Sequence, residues 1–463
     1  MEDEESFRKM ESFMSVADAQ LRVEMVPKIE CAFINKRSGA KHGEAFLAML
    51  NELEGVHCQV HDLATEDPEE LLENYLGMWA REGEGSYRES RSESSARSKS
   101  GSGAAYETIA SSIQRLPVIM ACGGDGTFSW IASTAIKHAH DVMTSPSPTG
   151  DKPMTVPYCV IPFPLGTGND MSGVLGWGRG MSANAAGAKS LMESVEQASI
   201  GPKCDVWGVK FQKFESMKRF NTMCNYFSIG ADAKASRLFE NHRTSQPGLY
   251  RSQSFNKLSY AAFGGFLSLK GSSSVGKRIK RLVVDGKEIK VPHKAKALIC
   301  LNIPSYADGT KPWTVDKNHP TLQEAAIDDG MVEVFCLKSI LSIAFLKTLK
   351  GIWSGGVTRL AQGRNISIEM HPKEVWAQKK RGSHDEEVSS NLYAQVDGES
   401  FSFDCDEEVI EVYRKGSVPV LFGPFRGKAM QGPPAKLKSG SFHARWPKSP
   451  SEAGSVPSSP HKR

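Results

Sequence analysis

Three apolar runs of this chain each end in a short polar loop that carries glycine. The loops are Asn35-Lys36-Arg37-Ser38-Gly39, Gly123-Gly124-Asp125-Gly126-Thr127 and Gly166-Thr167-Gly168-Asn169-Asp170. Glycine lets a backbone approach phosphate closely, successive N–H groups form an anion-binding concavity, and a helix opening at Thr127 adds its positive end. A carboxylate amid such donors is wrong for bare phosphate, so Asp125 is expected to face a magnesium shell or polar groups of a nucleotide. One Gly-Gly-Asp-Gly alone reads as a tight turn. A second loop of the same kind, again directly after an apolar run, points instead to nucleotide phosphates. Neither loop has the spacing of the Walker loop or of G-x-G-x-x-G, so the nucleotide fold is a different one.

Strands that converge at their carboxyl ends must position these loops. Ile29 to Ile34 and Cys58 to His61 read as strands, with a helix over Glu44 to Leu53 between them. Pro117 to Cys122 and Tyr158 to Phe163 are continuous apolar runs, which suits strands buried on both faces of a mostly parallel sheet. Ile131 to Ile136 and Ala183 to Ala198 supply helices around it. After about Gly201 short β-rich runs follow: Trp207 to Phe211, Asn225 to Ile229, Leu282 to Asp285, Ala297 to Asn302, Val332 to Cys336, Tyr393 to Asp397 and Val409 to Tyr413. Helical patterns at 231–243 and 339–353 interrupt them. The expected architecture is α/β in two domains, a parallel-sheet nucleotide-binding domain at 28–201 and a mostly antiparallel, β-rich domain at 202–424. Whether the last run, Val418 to Phe422, returns to the first domain is left open.

The flanks are of another character. Residues 1–27 carry Phe7, Met10, Met14, Ala17 and Leu21 at helical spacing, with an acidic opposite face that argues against anionic membranes. Residues 82–103 are Ser/Gly-rich with mixed charge and read as a disordered insertion. The basic tail, 425–463, has eight Lys/Arg against the single Glu452 and reads as disordered too. It either docks on an anionic leaflet, with phosphorylation at Ser449 or Ser459 opposing this, or serves solubility.

Composition narrows the classes. At 463 residues the chain is long enough for two or three domains, and 40% hydrophobic with 24% charged residues is an ordinary globular balance. The nine cysteines are dispersed without a C-x-x-C pair, which argues against a zinc site or a disulfide framework. The acidic start lacks the features of a secretory signal, and no run supplies the apolar length of a spanning helix. These features predict a cytoplasmic protein with at most peripheral membrane contact. Basic charge gathers in the tail rather than on a folded element, so nucleic acid is not an expected partner.

Gly123 to Thr127 resembles the motif shared by diacylglycerol kinases, sphingosine kinases, NAD kinases and phosphofructokinases. Pro164 to Asp170 followed by Leu175-Gly176-Trp177-Gly178 resembles the eukaryotic diacylglycerol kinases more specifically. The likeness continues in the family's order through Asp205-Val206-Trp207, Asn225 to Asp232, Asn256-Lys257 with Tyr260, Leu301 to Ser305 with Trp313, Asp328-Asp329-Gly330, Arg359 to Gln362 and Gln395 to Glu399. It covers about residues 28 to 415. The resemblance implies an ATP-binding domain and an accessory domain with the active site in the cleft between them, and phosphorylation of diacylglycerol to phosphatidic acid.

By the same resemblance Gly123, Gly124, Gly126, Thr127, Gly166, Thr167, Gly168 and Asn169 hold ATP, with Asn35 and Ser38 alongside. Asp125 and Asp170 organise Mg2+, and Asp328 and Asp329 match acids that bind a structural magnesium in bacterial relatives. Glu399 is the implied base, with Asp125 also at the catalytic centre. From the residues alone, Val396-Asp397-Gly398-Glu399 is a hairpin turn, as is Val284-Asp285-Gly286-Lys287; with the resemblance, the former is a turn that presents Glu399.

The chain departs from the family pattern at Lys36, where Pro or Ser is usual, and at Gly173, where eukaryotic members generally carry a basic residue. It shows no zinc fingers, EF-hand or pleckstrin-like segment, as in the short plant-type members. Two alternatives remain open: a kinase for another lipid (sphingosine, ceramide or monoacylglycerol), or a catalytically silent scaffold for membrane or partners. The partners expected are diacylglycerol in a membrane and a possible second copy of the chain.

Overall fold

A computed structural model describes residues 26–36, 38, 42–52, 58–81, 115–144, 158–166, 168–180, 193–195, 198–215, 221–245, 274–307, 309–314, 322–339, 356–376 and 390–424. Several sequence expectations lie outside these residues: nearly all of the 1–27 helix, the 82–103 insertion, most of the helix at 183–198, Thr167, Asn256-Lys257 with Tyr260, nearly all of the helix at 339–353, and the basic tail.

The first domain is built on four parallel strands, β1 (Val26–Ile34), β2 (Gln59–Asp62), β3 (Arg115–Gly123) and β4 (Cys159–Pro164), in the order β2-β1-β3-β4. Their interiors are the continuous apolar runs of the sequence, and Val118, Ile119, Val160 and Ile161 are buried as strands covered on both faces must be. Around them stand α1 (His42–Glu52), a helix at 68–81 (α2), α3 (Asp125–Thr144) and the one-turn α4 (Asp170–Val174). Helix α2 was not anticipated, although Leu72, Leu76 and Trp79 recur at helical spacing and all three are buried.

The second domain adds β5 (Ser199–Phe211), β6 (Thr222–Met223), β7 (Tyr226–Gly230), α5 (Ala231–Ser245), β8 (Ile279–Val284), β9 (Lys287–Ile289), β10 (Ala297–Leu301), β11 (Val332–Leu337), β12 (Val357–Gly363), β13 (Asn365–Met370), α6 (373–376), β14 (Asn391–Val396), β15 (Glu399–Asp404) and β16 (Val409–Phe422). Strands β12-β11-β10-β7-β14-β15 form an antiparallel six-stranded sheet. Its faces alternate with the pleat. Phe227, Ile229, Leu298 and Cys300 enter one core, shared with Leu282, Ile366, Ile368 and Val412 of the facing sheet. Ile299, Leu301 and Phe335 enter the core that also contains the first domain's strands.

The last strand settles the question left open by the sequence. β16 pairs antiparallel with β5 along nearly its whole length and with β13, and near its end Val420 pairs parallel with Val160 of β4. Register shifts at Arg414/Gly416 and Pro419/Leu421 let one strand serve both halves of the resulting ten-stranded sheet. The C-terminal strand thus returns to the first domain. No described helix is long and apolar enough to cross a membrane.

Candidate active site

The three loops meet at the carboxyl edge of β1, β3 and β4, laced together by backbone hydrogen bonds. Asn35 N–H donates to the Cys122 carbonyl (2.9 Å), and the Leu165 and Gly166 amides both donate to the Gly123 carbonyl (3.0 Å each). The Gly123–Thr127 loop passes straight into α3, which begins at Asp125, two residues before the expected start at Thr127. Gly166 packs against Gly124 so closely that a methyl group on Gly166 would lie 2.5 Å from the Gly124 Cα. Asn35 Nδ2 donates to Thr127 Oγ1 (3.2 Å), and Ser38 N–H to the Asn35 carbonyl (3.0 Å). The structure therefore gathers Asn35, Ser38, Gly123, Gly124, Gly126, Thr127, Gly166, Gly168 and Asn169 on one edge.

Lys36 pairs with Asp62 at the end of β2 (2.6 Å), which fixes its charge beside the first loop. The Lys36 pair also holds the Asp62 carboxyl below its usual range against the opposing effect of burial. Asn169 adopts a left-handed backbone (φ 52°), and its Nδ2 donates to the carbonyls of Gly166 and Arg179 (2.8 Å each), bracing the third loop from inside.

The two acids expected to organise magnesium are already engaged by the protein. Asp125 Oδ2 accepts from the Asp170 amide and Oδ1 from the Met171 amide (3.0 Å each), so it caps α4 and ties the second loop to the third. Asp125 is half-buried at the loop edge. Burial and the neighbouring Asp170 charge push its carboxyl well above the carboxylate range, against the two amides that favour the ionised form. Asp170 is buried, and its Oδ1 accepts from Arg179 Nη1 (2.5 Å), Ser305 Oγ (2.5 Å) and the Gly309 amide (2.9 Å). The donors to Asp170 thus gather on Oδ1, and each Asp125 oxygen accepts from one amide. Asp328 and Asp329 stand on another turn, where Asp329 Oδ1 accepts from the Met331 amide (2.9 Å). Beside it the buried Asp205 accepts from Gly330 N–H (2.6 Å) and Arg414 (2.8 Å). Among the described residues no group of three or more His, Cys, Asp or Glu side chains is placed to hold a metal ion.

Glu399 reaches this edge from the other domain. It follows the turn Asp397-Gly398 between β14 and β15, and its side chain lies over Gly126: a methyl group there would sit 3.1 Å from Glu399 Cγ and 3.6 Å from Oε1. The turn is anchored by Asp397, a role the sequence reading missed. The buried Asp397 carboxylate accepts from the amides of Cys224 (2.8 Å), Asn225 (2.9 Å) and Tyr226 (2.8 Å) and from the Ser129 hydroxyl of α3. Burial pushes its carboxyl up to about 6, although the Ser129 hydroxyl and the three amides pull the other way. Nothing local in sequence marks Ser129 as a partner 268 positions away. An Asp-Gly pair that recurs in a buried run was the available signal for Asp397.

Two glycine-bearing loops at the carboxyl edge of the parallel strands, the N-terminus of α3 and the Glu399 carboxylate carried on the Asp397-Gly398 turn thus come together at one edge. Residues 31–202 match the diacylglycerol kinase catalytic domain and residues 222–400 the diacylglycerol kinase accessory domain. The chain is 31% identical to diacylglycerol kinase 2 of Arabidopsis thaliana over 61% of its length and 36% of that protein's. It is 29% identical to diacylglycerol kinase iota of Mus musculus over 73% and 28%, and 24% identical to diacylglycerol kinase 1 of Oryza sativa subsp. japonica over 88% and 82%. It therefore spans about a third of the length of the first two relatives and most of the third. The chain belongs to the diacylglycerol kinase family.

Proposed function

We propose that this chain transfers the γ-phosphoryl group of ATP to the free hydroxyl of diacylglycerol, giving phosphatidic acid and ADP. The observation that carries the reading is the approach of Glu399 to Gly126, which puts the accessory domain's carboxylate at the mouth of the phosphate loops. The phosphates rest on the Gly123–Thr127 and Gly166–Asn169 loops and on the N-terminus of α3, with Asn35, Ser38 and Lys36 alongside. The lipid oxygen forms a bond to the γ-phosphorus as the bond to the β-phosphate oxygen breaks. Glu399 takes the hydroxyl proton, and in a loose transition state one positioned carboxylate suffices. Magnesium enters with ATP as part of the substrate, and no step is assigned to a resident ion at Asp125, Asp170, Asp328 or Asp329. Diacylglycerol resides in a bilayer, so the edge where Glu399 meets Gly126 must work at a membrane surface.

The test is a lipid panel with labelled ATP. Diacylglycerol is the expected acceptor, with sphingosine, ceramide and monoacylglycerol poor. Labelling of sphingosine in place of diacylglycerol would move the substrate assignment. Nucleotide binding without transfer to any lipid would leave the scaffold reading in its place.

A further inference from the structure

We propose that Arg179 is a positioning residue that latches the Gly166–Asp170 loop to the accessory domain, and that Gly173 is glycine so that this latch can form. The inference deepens the proposed kinase reading and rests on it only for its activity measurements. Arg179 donates from Nη1 to Asp170 Oδ1 (2.5 Å) and from Nη2 to Ser305 Oγ (2.7 Å), and Ser305 Oγ itself donates to Asp170 (2.5 Å). Asp170 belongs to the first domain and Ser305 to the second. One guanidinium thus closes a charged triangle between the two domains, and the Gly309 amide completes it by donating to Asp170 (2.9 Å). The planar fork of arginine suits two partners held apart in this way; a lysine ammonium offers only a point charge.

The main chain of Arg179 takes part as well, because its carbonyl accepts from Asn169 Nδ2 (2.8 Å). The third loop is therefore held by Arg179 at Asn169 and at Asp170. Asp170 is also the residue whose amide donates to Asp125 Oδ2 (3.0 Å), so the second loop is tied into the same arrangement.

Two glycines, one from each domain, flank the guanidinium. A methyl group at Gly173 would lie 2.8 Å from Arg179 Cζ and Nε, and one at Gly309 would lie 3.2 Å from Cζ. At Gly173 the intruding atom would meet the far end of a long side chain, which can swing into solvent. The smallest substitution there would expel the arginine at little structural cost. Inside a helix, alanine in place of glycine should otherwise stabilise. A purely structural role for Gly173 and the latch role thus predict opposite outcomes.

The full chain carrying Arg179→Ala, Arg179→Lys, Gly173→Ala or the Arg179→Ala/Gly173→Ala pair tests this by amide hydrogen exchange and by kinetics on diacylglycerol vesicles. Arg179→Ala and Gly173→Ala should each lower kcat about 10- to 100-fold, the scale set by small misplacements of reacting groups. The dissociation constant for ATP should stay within about threefold, and exchange of the Gly309 amide should rise about tenfold or more, with β10 amides unchanged. The double variant should be no worse than either single one, since both remove one latch. Arg179→Lys should recover part of the loss and stands in if Arg179→Ala does not fold. Wild-type kcat together with wild-type exchange at Gly309 in Gly173→Ala overturns the latch, as does a double variant with additive losses. If the wild type proves inactive on diacylglycerol, the kinase reading fails while the exchange measurements still decide the latch.

Discussion

Two hairpins of the second domain close on the same dipeptide. Asp285-Gly286 joins β8 to β9, and Asp397-Gly398 joins β14 to β15. The backbones match, with φ of 48° and 78° in the first turn and 48° and 89° in the second, the positive pair that a two-residue hairpin requires. The aspartates behave alike as well. Asp285 accepts from the amides of Arg364 (3.0 and 3.1 Å) and Asn365 (2.8 Å), as Asp397 does from those of Cys224, Asn225 and Tyr226. What differs is the surroundings. The first turn is exposed near a sheet edge and leads into Lys287. The second presses on α3 through Ser129 and leads into Glu399 above Gly126. A local turn code builds both hairpins, and only the opposing domain makes one of them part of a site.

The widest gap between the two hairpins should appear when the residue after each turn is changed. Glu399→Gln is expected to lower kcat on diacylglycerol by about 10²- to 10⁴-fold, the usual worth of a positioned general base. Its thermal midpoint should hardly move, because the Glu399 side chain is exposed. Lys287→Gln should leave kcat at the wild-type value. Initial rates and thermal unfolding on the same preparations settle the matter, and a fully active Glu399→Gln would remove the base from Glu399.

The aspartates give the next contrast. Asp397→Asn replaces an acceptor surrounded by four donors with a group that turns an NH2 toward some of them. It should cost about 2–3 kcal/mol at neutral pH, the range for hydrogen bonds to a charged group, and lower kcat about tenfold or more by letting Glu399 drift. Asp285→Asn, at an exposed turn, should cost about 1 kcal/mol or less and leave kcat unchanged. The pH dependence separates them further. The folded-state pKa of Asp397 is raised to about 6 from 3.8, so the folded chain holds this proton more tightly than the unfolded one. The stabilisation from that proton is complete below pH 3.8 and is lost as pH rises through 6. Asp397→Asn, with no proton to lose, should flatten that part of a denaturation profile, and an unaltered slope would show that Asp397 does not titrate there.

Much of this arrangement was legible in the sequence because it is local. Continuous apolar runs gave β3 and β4, short β-rich runs gave seven of the second domain's strands but not β6, β9, β12, β13 or β15, and glycine-bearing loops after apolar runs marked the proposed nucleotide edge. Both Asp-Gly turns were readable as hairpins. What could not be read depends on pairings distant in sequence. Nothing in Val418 to Phe422 announces a strand that joins Val160, because that choice is made by the sheet it completes. Asp125 looked like a lone acid among phosphate donors, yet its oxygens face the amides of Asp170 and Met171, a consequence of how tightly the second and third loops pack. Gly173 looked like a loss of a basic residue. The space beside it is filled by the guanidinium of Arg179, six positions on, which sequence spacing alone does not connect to it.

The smallest and most discriminating contrast lies in the two turn glycines. Gly286 and Gly398 both have positive φ, and a methyl group added at either would meet nothing within 4 Å. Alanine therefore costs only the backbone penalty of the left-handed region, about 1–2 kcal/mol, and the two costs should be nearly equal. Chemical denaturation of Gly286→Ala and Gly398→Ala should show matching losses of stability. Activity should part them: Gly286→Ala keeps the wild-type kcat, while Gly398→Ala loses several-fold, because the residue next in the chain is Glu399 and a relaxed turn re-aims it. Equal stability with unequal activity is the signature of a turn that positions a reacting group. Equal activity in the two variants would mean that Glu399 is held over Gly126 by β15 alone and that the turn contributes only its bend.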